Sequence, residues 1–241
     1  MNTARILQQE KEDPYPQTLL RPCRAITGIS AILLPYNNDN SVDWASFERT
    51  LEHTVSAGLI PAVNMDTGYA SLIDEATRLE VLQRTSTVTS GLEFVAGVFV
   101  GDSPGQKFDA DAYRHGIAET EAVSGTPILF QSFGLSELQE DEVAPAYESV
   151  TLSCDQFLFF ELDKTFAPFG RIYSLETYAQ LIQIPNAVGA KHSSLRRQPE
   201  WSRIELRIRV RPDFKVFTGN DLAIDMLRYG SGYLLGLGAV A

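Results

Sequence analysis

The sequence is poor in cysteine, in histidine and in positive charge. Cys23 and Cys154 are the only cysteines among 241 residues, which excludes a disulfide framework and favours a reduced, cytoplasmic setting. The formal net charge of −11 argues against a nucleic-acid partner, because nucleic acids bind basic surfaces. No apolar run reaches the roughly 18 residues of a membrane span, so we expect no membrane partner. His53, His115 and His192 are too few and too scattered for a metal triad.

Strand-like and helix-like segments alternate along almost the whole chain. The predicted strands cover 26–36, 60–66, 93–101, 126–134, 155–163, 187–193, 214–221 and 232–241. The predicted helices cover 43–58, 74–91, 109–125, 140–153, 174–184, 198–211 and 221–230. This α/β alternation indicates parallel strands joined by right-handed crossovers, and eight such units close into a (β/α)8 TIM barrel. An open doubly wound sheet is the rival fold, but the first strand leads into PYNNDNS rather than a glycine-rich phosphate turn.

The eighth predicted strand is followed by no helix, which leaves one outer face of the barrel without a cover. We therefore divide the chain into an N-terminal extension, 1–23, and a barrel, 24–241. We expect this barrel to lack its last helix and any C-terminal helices, as in a truncated chain. In the alternative interpretation, the first 20 residues or a neighbouring subunit cover the exposed strand.

The stretch NAVGAKHSS, residues 186–194, places Lys191 at the end of a buried strand in a chain with only five lysines. Active sites of (β/α)8 barrels lie at the carboxyl ends of the strands. If Lys191 points into the barrel, loss of water lowers its pKa, and the neutral amine can form a Schiff base with a carbonyl carbon. The alternative is a structural ion pair with Glu161 or Asp66. His192, the next residue, should face the opposite side of the strand because of the pleat.

Four segments, in order along the chain, resemble the dihydrodipicolinate synthase / N-acetylneuraminate lyase family of class I, Schiff-base aldolases. They are GISAILLPY, NMDTGYASLIDEATRLEVLQ, IPNAVGAKHSS and VFTGNDLAIDMLRYGSGYLLGLGAVA. The resemblance spans residues 24–241 and implies a (β/α)8 barrel in which Lys191 is the Schiff-base lysine. It further implies a lyase acting on 2-oxo acids such as pyruvate, no metal or other cofactor, and a homo-oligomer, a dimer or a tetramer.

The chain departs from the family pattern after its second strand. Where the family has a pair of Thr or Ser hydroxyls for the substrate carboxylate, this chain has Asp66 and Thr67. Thr67 and the backbone N–H of Gly68 could still bind an oxygen anion. A carboxylate at Asp66 would repel a second one, so we expect a substrate that presents a hydroxyl there.

The family tyrosines that relay protons are also missing. The fifth strand reads FLFFELD, which leaves Glu161 as the nearest group able to move protons. The second tyrosine position, after the fourth strand, falls near Ser132 and Phe133.

We therefore predict a lyase or aldolase with Lys191 as nucleophile and Glu161 as the second catalytic residue, with Asp66 as the alternative group that moves protons. A hydratase or dehydratase that uses the same imine is one alternative, and a non-catalytic ligand-binding barrel is another. In the turn 218–221, a helix cap at Asn220 or Asp221 is at least as good an interpretation as ligand binding. The predicted substrate-binding residues are Asp66, Thr67, Gly68, Ser132, Phe160, Gly219 and Asn220.

Overall fold

The computed structural model describes residues 16–236, and within this range eight parallel strands form a closed barrel in the order β1 to β8. Each strand pairs with the next one along the chain, and β8 returns to pair with β1. The predicted (β/α)8 architecture is thus confirmed. The strands are β1 Gly28–Ala31, β2 Ile60–Val63, β3 Val95–Val98, β4 Thr126–Leu129, β5 Phe157–Leu162, β6 Ala187–Ser193, β7 Lys215–Thr218 and β8 Gly232–Leu235.

Helices connect successive strands on the outside of the barrel. Within the same range they are α1 Pro16–Leu19, α2 Trp44–Ser56, α3 Glu75–Thr89, α4 Ala110–Glu121, α5 Phe133–Ser136, α6 Glu140–Thr151, α7 Leu175–Leu181 and α8 Arg197–Val210. Two further segments, Asp66–Gly68 and Asp221–Tyr229, are 3-10 helices. None of the helices in this part of the chain is both long enough and apolar enough to cross a bilayer.

Side-chain caps fix where four of the longer helices begin. Asp43, Asp74, Asp109 and Ser174 each accept a hydrogen bond from the backbone N–H three residues further along. Such a cap satisfies one of the N–H groups that the first helical turn leaves without a partner, and it typically stabilises the helix by about 1 kcal/mol. The caps lie at the helix starts that the sequence predicts.

The pleat of the strands sorts side chains into two layers. One apolar cluster fills the barrel interior and takes alternate residues from the strands. Its strand members include Ile29, Ala31, Ala62, Val95, Ile128, Leu158, Phe160, Phe217 and Leu234, and Phe130, directly after β4, belongs to the same cluster. The intervening residues, such as Leu129, Phe159, Ala190 and Val216, pack against the surrounding helices. Since Ala190 faces outward, Lys191 faces the interior, between Phe160 of β5 and Phe217 of β7 in the strand register.

The structure corrects three boundaries. Most strands are shorter than predicted, because the chain leaves the sheet early to build the loops at the mouth. The predicted helix over 221–230 is a 3-10 segment, interrupted at Ala223, whose backbone angles are non-helical. The end of the predicted strand 126–134 is instead the short helix α5. Of the predicted eighth strand, residues 237–241 lie outside the described range.

Candidate active site

Lys191 lies at the carboxyl end of β6 with its side chain inside the barrel. The residue is only 4% exposed. Its Nζ lies 4.0 Å from the centroid of the Phe160 ring and 3.6 Å from Oδ1 of Asp66. The second distance is longer than a direct hydrogen bond, so the ion pair with Asp66 does not fully occupy the amine. Of the two partners predicted for a structural ion pair, Asp66 is present beside the amine and Glu161 is not, because Glu161 pairs with Arg203.

The surroundings of the amine favour its neutral form. Burial lowers the pKa of Lys191, and the charges of Asp66 and Asp221 offset this effect only in part. An amine with a lowered pKa has its lone pair available at a lower pH than a lysine in water. This is the property that a carbonyl-capturing lysine requires.

The 3-10 segment Asp66–Gly68 follows β2 and brings Asp66 to the amine, with Thr67 next to it in the chain. Asp66 is half-exposed and faces Nζ. The Thr67 hydroxyl is buried and has no hydrogen-bond partner among residues 16–236. The expectation for Gly68 needs correction, because its N–H already donates to the carbonyl of Met65 at 2.9 Å and is not available to an oxygen anion.

The loop after β7 passes directly beside the lysine. A Cβ atom added at Gly219 would lie 2.7 Å from Cε of Lys191. Because glycine has no side chain, the aliphatic part of the Lys191 side chain fits at this position. Asn220, in contrast, is engaged at both ends of its amide. Its Nδ2 donates to the carbonyl of Ser194 at 2.8 Å, and its Oδ1 accepts from the N–H of Leu222 at 3.0 Å. These bonds support the cap interpretation of Asn220.

Glu161 lies on the opposite side of the barrel wall from Lys191, which corrects its assignment as a proton-transfer residue. Phe160 and Glu161 are adjacent in β5, and the pleat turns one inward and the other outward. The Glu161 carboxylate is fully buried between β5 and α8. There it accepts hydrogen bonds from Arg203 at 2.6 and 2.9 Å and from the N–H of Tyr173 at 2.7 Å, and it contacts Nδ1 of His192 at 2.7 Å.

The charge of Glu161 is stabilised in this buried position. Burial alone would raise its pKa, but the positive charge of Arg203 and the contact with His192 outweigh that effect and lower the pKa of Glu161 to about 2. A carboxylate held in this way does not exchange protons near neutral pH. The prediction that His192 faces away from Lys191 is confirmed by the same contact.

Ser132 also has a structural position. Its hydroxyl accepts a hydrogen bond from the N–H of Leu135 at 3.3 Å and caps α5. The hydroxyl therefore lies at the start of that helix and serves as its cap.

A row of five phenylalanines leads from the amine towards the mouth. From the sequence, Phe160 was named and a family tyrosine position fell near Phe133, but the other three were missed. Phe160 packs on Phe130 with centroids 4.9 Å apart, and Phe130 packs on Phe99 at 5.9 Å. Phe99 contacts Phe169 at 6.0 Å, and Phe169 contacts Phe133 at 5.9 Å. Phe130 and Phe160 are buried, whereas the other three are partly exposed. The available signal was that these residues stand near the ends of β3, β4 and β5.

Among residues 16–236, one group of side chains has the composition of a metal site, and it lies on the outer surface, away from Lys191. The ligand atoms of Glu75, His115 and Glu119 lie within 4.8 Å of one another. Glu119 is already paired with Arg78 at 3.2 Å, and Glu75 and His115 are exposed. We make no metal assignment from this arrangement.

Comparison with known proteins gives one consistent set of relatives. No protein-family model matches the chain. A 4-hydroxy-tetrahydrodipicolinate synthase from Shewanella denitrificans is 25% identical over 210 residues, which are 84% of this chain and 66% of that protein. A second one, from Shewanella sp. strain ANA-3, is 26% identical over 203 residues, 80% of this chain and 62% of that protein. The chain thus spans slightly less than two thirds of the length of these curated relatives.

Solved structures share the fold. A dihydrodipicolinate synthase from Thermotoga maritima superposes with a TM-score of 0.74 at 17% identity, over 90% of this chain and 72% of that one. An N-acetylneuraminate lyase from Mycoplasma synoviae superposes with a TM-score of 0.69 at 15% identity, over 89% of this chain and 70% of that one.

A closed parallel barrel with a buried lysine at the end of β6 defines the chain as a (β/α)8 protein with the fold of the class I aldolases. The curated relatives and the shared fold together confirm the resemblance found in the sequence. These relatives and the shared fold support membership of the dihydrodipicolinate synthase / N-acetylneuraminate lyase family.

Proposed function

We propose that the protein is a lyase or aldolase in which Lys191 forms a Schiff base with a carbonyl substrate, either a 2-oxo acid such as pyruvate or a related aldehyde or ketone. The observation that carries this proposal is the buried Nζ of Lys191 at the carboxyl end of β6, with a pKa lowered by burial. The relatives, named as synthases and lyases, support an enzyme of this kind.

In the proposed first step, the lone pair of Nζ attacks the carbonyl carbon and the C=O π electrons move to oxygen. Proton transfers convert that oxygen to water, which leaves as the C=N bond forms. The protonated imine then accepts the electron pair of an adjacent C–C bond that breaks, or of a C–H bond from which a proton is removed. Asp66, 3.6 Å from Nζ, is the group placed to move these protons in the role first assigned to Glu161.

A hydratase or dehydratase is the second candidate, and Asp66 is the observation that favours it. A carboxylate beside the imine nitrogen could assist the departure or addition of a hydroxyl at the neighbouring carbon. The third candidate, a ligand-binding barrel without catalysis, is favoured by Phe160, which packs on the amine and has no proton to relay.

Reductive trapping tests the proposal. Incubation with candidate carbonyl compounds and cyanoborohydride should add one substrate mass, less the carbonyl oxygen, on the peptide that contains Lys191. Lys191→Ala should abolish this adduct, whereas Lys215→Ala should retain it. Lys215 is a matched control because it lies on the neighbouring strand but is exposed. If the Lys191→Ala variant formed as much substrate adduct as the wild type, the assignment of Lys191 as the nucleophile would be contradicted. If a compound trapped on Lys191 is also converted to product when the reductant is left out, the protein is an enzyme. If it is trapped but not converted, the protein only binds it.

The assembly and location of the protein remain predictions. We expect a dimer or tetramer, which light scattering on the purified chain can measure, and a cytoplasmic location.

A further inference from the structure

The charges around Lys191 bear on which carbonyl compound it accepts. Asp66 lies 3.6 Å from Nζ, and Asp221 is close enough for its charge to act on the same amine. In a Schiff base of a 2-oxo acid, the substrate carboxylate is attached to the carbon that bonds Nζ. It would therefore lie close to the Asp66 carboxylate and be repelled by it, and the charge of Asp221 would add to this repulsion.

Arginines that follow β5 and β6, which could neutralise such a carboxylate, are already engaged. The guanidinium of Arg171 donates to the carbonyls of Ser136 and Leu138. The ion pairs of these arginines are Arg171 with Glu140, Arg196 with Asp163, and Arg197 with Asp225. Recruiting Arg171 or Arg197 to a substrate would break an existing pair, whereas the contact of the exposed Arg196 with Asp163, at 3.9 Å, is weak.

The aromatic row offers the opposite kind of surface. Barrel interiors are normally filled by side chains, and this accounts for the buried rings of Phe130 and Phe160. Phe99 and Phe169 pack against this interior cluster at its upper edge, and both remain partly exposed. Phe133, at the start of α5, is also partly exposed. Their rings continue the buried pair as one apolar wall from the amine to the mouth.

One neutral polar group completes this environment. The Thr67 hydroxyl is buried without a partner among residues 16–236, and it adjoins Asp66 in the chain. A buried hydroxyl in this state can donate a hydrogen bond to a substrate oxygen, such as a carbonyl or hydroxyl oxygen.

Resting on the proposed Schiff-base function, we propose that Lys191 captures an uncharged aldehyde or ketone that carries an aromatic group, with the ring against the phenylalanine row. A 2-oxo acid is the poorer substrate. Phe99 and Asp66 then determine specificity, the first by holding the ring and the second by rejecting a carboxylate.

The experiment compares reductive trapping of three probes: phenylacetaldehyde, acetaldehyde and pyruvate. Each rate of adduct formation on Lys191 is divided by the rate with free Nα-acetyl-lysine, which removes the intrinsic reactivity of the carbonyl. The normalised rate should be at least about tenfold higher for phenylacetaldehyde than for acetaldehyde, because stacking on aromatic side chains adds to the binding of the ring. Pyruvate should be trapped least.

Two variants test the assigned residues through ratios, which are insensitive to a general loss of reactivity. Phe99→Ala should lower the ratio of phenylacetaldehyde to acetaldehyde trapping, and Phe99→Leu, which preserves more of the packing, serves if the alanine variant does not fold. Asp66→Asn should raise the ratio of pyruvate to acetaldehyde several-fold by removing the repulsion. Unchanged ratios in these variants would overturn the residue assignments.

The failure of this inference is distinguishable from the failure of the proposed function. Adducts on Lys191 that form as well with pyruvate as with phenylacetaldehyde would leave the Schiff-base function intact and refute the substrate class. A preference for acetaldehyde over phenylacetaldehyde would refute the role of the aromatic row. If no probe is trapped on Lys191, the Schiff-base function fails and the inference fails with it.

Discussion

Replacement of Arg203 by methionine should strongly destabilise the barrel wall behind Lys191. The change removes the two hydrogen bonds that Arg203 donates to Glu161 and the one to the carbonyl of Tyr173. It leaves the Glu161 carboxylate, which is 0% exposed, with only part of its compensation. Breaking a buried ion pair in this way costs roughly 3–5 kcal/mol in unfolding free energy. For a chain of this size that corresponds to a fall in Tm of roughly 6–20 °C.

The effect should depend on pH with a defined sign. In the wild type the pKa of Glu161 is lowered from 4.5 to about 2 in the folded protein, so its contribution is fully present above pH 4.5 and is lost as the pH falls towards 2. The size of that contribution is about 3 kcal/mol. In Arg203→Met the buried carboxyl should take up a proton at a higher pH, because burial then dominates. The stability difference between variant and wild type should therefore shrink as the solution is acidified.

Guanidinium unfolding followed by circular dichroism between pH 4 and pH 8 measures this difference. Arg114→Met is the matched control, because it removes an arginine from an exposed pair with Asp111 whose side chains are 49% and 94% exposed. That pair is expected to contribute no more than about 1 kcal/mol. If both variants lose equally little stability, the Glu161–Arg203 pair does not stabilise the fold and the reasoning from its burial is refuted.

Three further predictions concern the site and its scaffold. The pH profile of reductive trapping at Lys191 should have its midpoint below 10.5, the ordinary pKa of a lysine. Asp66→Asn should lower the midpoint further, because it removes a negative charge that stabilises the ammonium form. A midpoint that rises in the variant would contradict this reasoning. Gly219→Ala should slow trapping by displacing the lysine stem, whereas Gly101→Ala, whose new Cβ would meet its nearest neighbour at 3.6 Å, should leave trapping unchanged. Asp74→Ala should lower the unfolding free energy by about 1 kcal/mol through loss of the α3 cap. Urea unfolding measures this change, and an unchanged unfolding free energy would contradict the prediction.

The sequence alone was sufficient for the architecture and for the position of Lys191. Helical and strand periodicities differ, and their alternation over the chain allows few folds other than a barrel of parallel strands. The pleat correctly predicted that Lys191 and His192 face opposite sides of β6, since neighbouring strand residues must do so. The resemblance in four ordered segments pointed to the family that the relatives confirm.

The side of the wall on which Glu161 lies could not be predicted. The segment FLFFELD is apolar at nearly every position, because a strand of a parallel barrel is buried on both faces. Its hydrophobic pattern therefore gives no alternation from which to assign inward and outward residues. The register between β5 and β6 also shifts at Phe157 and Leu158, so counting along the strand is an unreliable substitute.

What the sequence determined is thus local: which segments are strands and helices, and which amine ends a buried strand. Only the tertiary structure decided which groups share its environment. Asp66 meets Lys191 across 125 positions of chain, and Phe99 meets Phe169 across 70. Closure of the barrel sets these neighbours, since it brings the carboxyl ends of all the strands to one rim while the pleat of each strand places its side chains inside or outside the wall.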